Sequence, residues 1–260
     1  MANAMRNIAA IAGKEVRGYY GSPVAWVLMG FFAVVFGYFF VVYLDFFVRQ
    51  SMGGGGQFGQ AQPVHVNTDM IRNLLGNANV ILLFMLPMIT MRSFAEEKRS
   101  GTIELLLTSP LSDVEITLGK FFGAVCIYAG LLAVTLVPIA ILFGLGEPEW
   151  KPVATGYVGL LLLGSCFLSL GLFVSSTTNN QIVAGAVTFI VALLFWIINW
   201  FADTAGPTIG AVLNYLSVTQ HFDDFSKGVI DTSHVVFYLS FIAFGLFLTL
   251  KSVDTERWRG

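Results

Sequence analysis

The stretch Val24–Leu44, VAWVLMGFFAVVFGYFFVVYL, decides the architecture of this chain. It carries no charge, and at 1.5 Å per residue a helix of about 20 residues crosses the roughly 30 Å hydrocarbon core of a bilayer. Five further apolar segments follow at about 74–91, 118–145, 153–174, 182–202 and 234–250. The second is short, but its helix can extend from Met70 to Arg99. The chain therefore reads as an all-α membrane protein, one transmembrane domain over 1–260 with six transmembrane helices.

Composition agrees. Hydrophobic residues make up 56% of the 260 and charged residues only 12%, where a soluble domain has about 25% charged. The mean hydropathy is +0.75. A net charge of -2 leaves no basic excess for a nucleic-acid partner. Arg6, Lys14 and Arg17 precede the first apolar run as they would in a signal peptide, but that run is too long for an h-region and no small-residue cleavage site follows. Cys126 and Cys166 sit in apolar runs without metal spacing and read as packing residues.

Lys and Arg set the expected orientation. Ten lie on the side of the termini (Arg6, Lys14, Arg17, Arg92, Lys98, Arg99, Lys120, Lys251, Arg257, Arg259) and four on the other (Arg49, Arg72, Lys151, Lys227), while the acids divide evenly. Positive charge stays inside, so both termini are expected in the cytoplasm of a bacterial cell, the chain being multi-pass in its inner membrane. The first outer loop holds the glycine run Gly53–Gly56 and reads as flexible. The last, Asp203–Ser233, carries an apolar helical stretch after Pro207 and is expected to fold back against the outer face before the final span.

No span interior holds a charge of the kind that proton-coupled carriers and ion pumps place at mid-membrane. The pairs Gly13-Lys14 and Gly119-Lys120 lack the upstream Gly and the following Ser or Thr of a phosphate loop. The chain is thus expected to bind no cofactor and hydrolyse no ATP alone, its driving force coming from outside the spans. A membrane enzyme would want a base near one face. The three histidines, His65, His221 and His234, all fall on the outer side and read as solvated or interfacial.

The segment 92–117 and the residues just after it, RSFAEEKRSGTIELLLTSPLSDVEITLGK up to Lys120, mix two kinds of surface. Charged ends enclose Ile103, Leu105, Leu106 and Leu107, an apolar patch between Gly101 and Pro110 too short to span and too apolar for water. A partner protein would bury it; the alternative is that it tucks against this chain's own helix ends. Ser112 and Glu115 have capping-box spacing, with Leu111 and Ile116 as a hydrophobic staple, so the third span should begin near Asp113 outside the membrane. Residues 1–22 hold an amphipathic helix. Met5, Ile8, Ala9, Ala12, Val16, Tyr19 and Tyr20 share one face and Arg6, Lys14 and Arg17 lie away from it, the pattern of a helix lying on membrane lipids.

Glu96, Glu97, Gly101, Thr102, Glu104, Leu106, Leu107, Pro110, Ser112, Glu115, Gly119 and Lys120 resemble the loop signature of ABC-2 type transporter permeases. The six spans, the N-terminal interfacial helix and the folded-back segment extend the resemblance over essentially the whole chain. Within the family, His221–Asp231 (HFDDFSKGVID) is similar to permeases associated with gliding motility. The resemblance implies that Gly101–Ser109 forms a coupling helix docking into a cytoplasmic ABC ATPase, two copies of which bind ATP and Mg. Ile103, Leu105, Leu106 and Leu107 would be the apolar plug, ringed by Glu96, Glu97, Lys98, Arg99 and Glu104, with Leu106→Asp expected to uncouple. A second permease copy or paralogue would pair around the path of an exported cargo, with an accessory envelope protein as a possible further partner. A scaffold or anchor subunit of an envelope assembly is the competing class.

Overall fold

The computed structural model describes residues 2–51, 66–146, 148–202 and 204–259. The glycine run and His65 lie outside them. The elements are helices α1 (Ala2–Tyr20), α2 (Pro23–Ser51), α3 (Arg72–Thr90), α4 (Ala95–Ser100), α5 (Ile103–Leu107), α6 (Asp113–Leu145), α7 (Trp150–Thr177), α8 (Gln181–Ile197), α9 (Pro207–Leu216), α10 (Val218–Ser226) and α11 (Thr232–Arg259). A π turn, Val66–Ile71, leads into α3, and a 3-10 turn, Ile198–Phe201, continues α8. Among the described residues, six helical stretches are long and apolar enough to cross a membrane: α2, α3 with α4, α6, α7, α8 with its 3-10 turn, and α11. The chain is a multi-pass, all-α membrane protein.

α7 is the centre of the bundle. Of its most apolar window 78% is buried within the chain, against 17% for α8 and 22% for α2, and α11, α3, α10, α8 and α6 all pack on it. Glycines allow this. Lipid offers no hydrophobic reward for joining two helices, so close backbone approach and dispersion must supply it. A side chain at Gly159 would meet Phe225 Cβ at 2.7 Å, and one at Gly164 or Gly171 would run into Tyr128 or Thr90. The Tyr128 hydroxyl donates to the Leu160 carbonyl at 2.6 Å, fastening α6 to α7 where neither can bond to water.

Three helices overrun the apolar segments seen in the sequence. α6 has 33 residues, about 50 Å at 1.5 Å each, so one end stands clear of a 30 Å core. It begins at Asp113 with a complete capping box: Ser112 Oγ accepts from Glu115 N–H, and the Glu115 carboxylate accepts from Ser112 N–H at 2.8 Å. α2 continues to Ser51, and α11 runs through Lys251 to Arg259, because no Pro or Gly interrupts the charged tail after Leu250.

On the face opposite the termini, the segment before the last span folds back as two short helices. Pro207 starts α9, whose Ile209, Val212 and Tyr215 remain exposed. α10 buries Val218, Phe222 and Phe225 against α7 and α8.

Candidate functional site

The loop on the face of the termini is built around three devices. The first is Ser175 of α7, whose Oγ accepts from the N–H groups of Phe94 and Ala95, each at 3.1 Å, and donates to the Met91 carbonyl at 3.2 Å. One hydroxyl thereby satisfies the backbone where α3 turns into α4, and Phe94 and Ala95 are fully buried beside it. The second is Gly101, which ends α4 with φ of 72°, a conformation that costs any residue with a Cβ. The third is a set of ion pairs that tie the loop to distant helices. Lys98 meets Glu256 of α11 at 2.6 Å, and Arg257 meets Asp113 at 3.1 Å.

The charges of α4 accordingly divide. Glu96 and Arg99 face outward, Glu96 held by Arg92 at 2.9 Å. Glu97 turns inward, 2.9 Å from Lys120 and 3.2 Å from Lys14. The apolar patch divides too. Ile103 and Leu106 are half-buried and pack on the core, whereas Leu105 is 73% exposed and Thr102 and Glu104 are exposed with it. The Leu107 side chain lies outside the described residues. Pro110 is exposed at the end of the patch. Leu106 thus packs on the chain's own core, and Leu105 is presented to solvent.

Lys120 was counted in the sequence as a surface charge at the inner end of a span, but it is 2% exposed. Its ammonium donates to Glu15 at 2.8 Å and to the Ser93 carbonyl at 2.6 Å and forms an ion pair with Glu97 at 2.9 Å, with the Phe94 ring 5.0 Å away. Two hydrogen bonds and two counter-charges accommodate the lysine out of water. The node joins α1, α4 and α6. Its counter-charge Glu15 was not singled out in the sequence; the one available signal was a lone acid in a helix otherwise basic and apolar.

α1 also sits differently from the face its apolar pattern marks. The side laid on α6 is turned toward Ile11 and Glu15, which press on Gly119 and Gly123, while Met5 is 74% exposed and Ala9 is exposed. The apolar count omits the neighbour, whose buried Lys120 draws Glu15 and whose Gly119 leaves room for Ile11. Arg6, Lys14 and Arg17 remain on the exposed side. Tyr19 and Tyr20 are half-buried, the Tyr19 phenol pushed up to about 12 by burial. A cavity of about 260 Å³ opens between α1 and the loop, lined by Lys14, Tyr19, Arg92, Glu96, Glu97 and Lys120 among others.

On the far face, two histidines read in the sequence as solvated or interfacial form a polar cluster instead. His221 is 5% exposed and stacks on Phe237 at 3.9 Å between ring centroids. Its Nε2 lies 2.9 Å from the Tyr215 carbonyl, its Nδ1 lies 2.7 Å from His234 Nδ1, and His234 Nε2 lies 2.9 Å from Asp224. A carbonyl and a carboxylate only accept, so the three bonds need three N–H groups on two rings, one positive charge in all. Burial lowers the His221 pKa, and the hydrogen bond from His234 lowers that of Asp224. Lys227 bridges Asp223 and Asp224, Arg72 pairs with Asp223, and the Asp231 carboxylate caps the start of α11 through Ser233.

Six apolar crossings, a loop platform pinned to four helices and a folded-back cap define a multi-pass membrane protein. The chain belongs to the ABC-2 family of transporter proteins, whose family model matches residues 9–250. Permeases of this family are membrane components and not themselves ATPases. Over 143 residues, 54% of this chain, it is 26% identical to "Probable multidrug ABC transporter permease YbhR" of Escherichia coli strain K12, and equally to the protein of that name in Escherichia coli O157:H7. The alignment covers 38% of those relatives' length.

Proposed function

We propose that this chain is the permease subunit of an ATP-driven exporter and couples to a separate ATPase through residues 92–117. The observation that carries the reading is the division of the loop. Leu105 stands 73% exposed on α5, while α4 and the start of α6 are fixed to α1, α7 and α11 by Lys120, Ser175, Lys98 and Arg257. An exposed leucine on a rigid mount is an anchor for a partner's pocket, with Glu96, Arg99 and Glu104 as its polar rim. A push on α5 is then transmitted to α1, α6, α7 and α11 together.

In this reading the termini are cytoplasmic and the membrane is the bacterial inner membrane. ATP and Mg reside on two ATPase copies, and a second permease copy or paralogue completes the path. α1 rides on the lipids of the inner leaflet with its basic side outward. The multidrug description of the E. coli relatives suits an amphiphilic cargo. The anchor or scaffold alternative rests on the likeness of His221–Asp231 to gliding-type permeases, and would show an assembled complex with no transport.

Leu105→Asp is the sharper probe than Leu106→Asp, because Leu106 also contributes to the chain's own packing. Expressed with its neighbouring genes and purified in mild detergent, the wild-type chain should bring down an ATPase and Leu105→Asp at least tenfold less, with unchanged thermal stability. Equal recovery from both, or no ATPase with either, overturns the coupling assignment.

A further inference from the structure

A second cavity, of about 330 Å³, lies under α10 toward the far face. Tyr43 of α2, Asn77 and Asn79 of α3, Trp196 of α8, and Thr219 and Phe222 of α10 are among its walls. Two of the wall groups are buried without a hydrogen-bond partner. Asn79 is 4% exposed and its Oδ1 has none; the Trp196 Nε1 has none either. Asn77, by contrast, is served by the Tyr43 hydroxyl at 2.8 Å, and Thr219 donates to the Trp196 carbonyl at 3.2 Å.

Depth makes the two orphans informative. Asn79 lies seven residues into α3 from Arg72, about 10 Å below the ion pair of Arg72 and Asp223 at 1.5 Å per residue. An unpartnered carbonyl oxygen there is less favourable than a leucine, and no local turn or cap uses it. One orphan is an acceptor and the other a donor. A hydroxyl carries the complement of each, a donor for Asn79 Oδ1 and an acceptor for Trp196 Nε1–H, while Tyr43 and Phe222 give apolar walls and the paired Arg72 and Asp223 a polar rim.

We propose that this cavity is a binding site for the hydroxyl-bearing headgroup of a neutral amphiphile. The site rests on the six-span fold alone and not on coupling to an ATPase, so it is tested by binding to the isolated chain.

The experiment uses full-length chain in nanodiscs, with unfolding followed by far-UV circular dichroism as monooleoylglycerol or methyl oleate is added. The two share an acyl chain and differ in the free hydroxyls. Monooleoylglycerol should raise the Tm of the wild type by several degrees and methyl oleate should not, since a ligand bound only to the folded state stabilises it. Asn79→Leu and Trp196→Phe each remove one partner and should abolish that rise. Without additive, Asn79→Leu should melt at or above the wild-type temperature, which separates loss of binding from loss of folding. Photolabelling with a diazirine-tailed monoacylglycerol should mark peptides spanning 72–79 or 196–226, at least fivefold less in both variants. An equal rise with both lipids, a rise preserved in both variants, or labelling elsewhere overturns the site. No rise and no labelling in any protein would mean that water fills the cavity, and overturns it as well.

Discussion

At the scale of single residues, the decisive quantity is whether a polar atom has a partner once water is gone. His221 shows how narrowly such a bond is poised. Its Nδ1 lies 2.7 Å from His234 Nδ1, so one of the two nitrogens donates and the other accepts, and burial favours the uncharged His221 ring. Its depressed pKa means that the unfolded state takes up protons more readily. The His221 contribution to stability is therefore complete above the ordinary histidine value of about 6.5 and is lost as pH falls through the lower folded value. Asp224 has the same sign but acts in the carboxylate range below about pH 4. Hydrogen exchange of the α10 amides should therefore quicken as pH is lowered from 7 to 5, after correction for the intrinsic rate. His221→Phe keeps the stack on Phe237 and should remove the pH dependence; a dependence unchanged in that variant would place the titration elsewhere.

Among elements, small residues set which helices can touch. α10 reaches the centre of the bundle because α7 offers Gly159 opposite Phe225 and Phe222. Gly159→Val would overfill that contact, and overpacking of this kind costs about 1–3 kcal/mol. The variant should lower Tm and release the protection of α10 while α1 and the α4–α5 loop keep theirs. Uniform loss of protection would show that α10 is no separable cap. The sequence marked the helices themselves well, since apolar length is a local property. It placed the third span's start at Asp113 because a capping box needs only Ser112 and Glu115. What the tail of α11 pairs with was not legible, because Glu256 and Arg257 find their counter-charges on Lys98 and Asp113, far back along the chain.

For the whole molecule, Lys120 joins the N-terminal helix to the loop and to the third span. Lys120→Ala would leave Glu15 and Glu97 facing each other half-desolvated, and breaking a buried pair from one side costs about 3–5 kcal/mol. The chain should be markedly less stable in nanodiscs, and Lys120→Met combined with Glu15→Gln and Glu97→Gln should recover most of the loss. No recovery would mean that lysine acts through its shape alone. Sequence by itself determined the class of this protein: six crossings, a helical loop between the second and third, an amphipathic start and a folded-back segment before the last span. Hydropathy, capping and turn residues act over a few neighbours, so their signals survive without a fold. The tertiary structure alone decided that Leu105 is offered outward, which face of α1 meets α6, and that Lys120, His221 and Asn79 are buried. Those outcomes depend on partners as far as 105 residues apart, as for Lys120 and Glu15, and the cost of burying a charge or an amide is set by what lies opposite it.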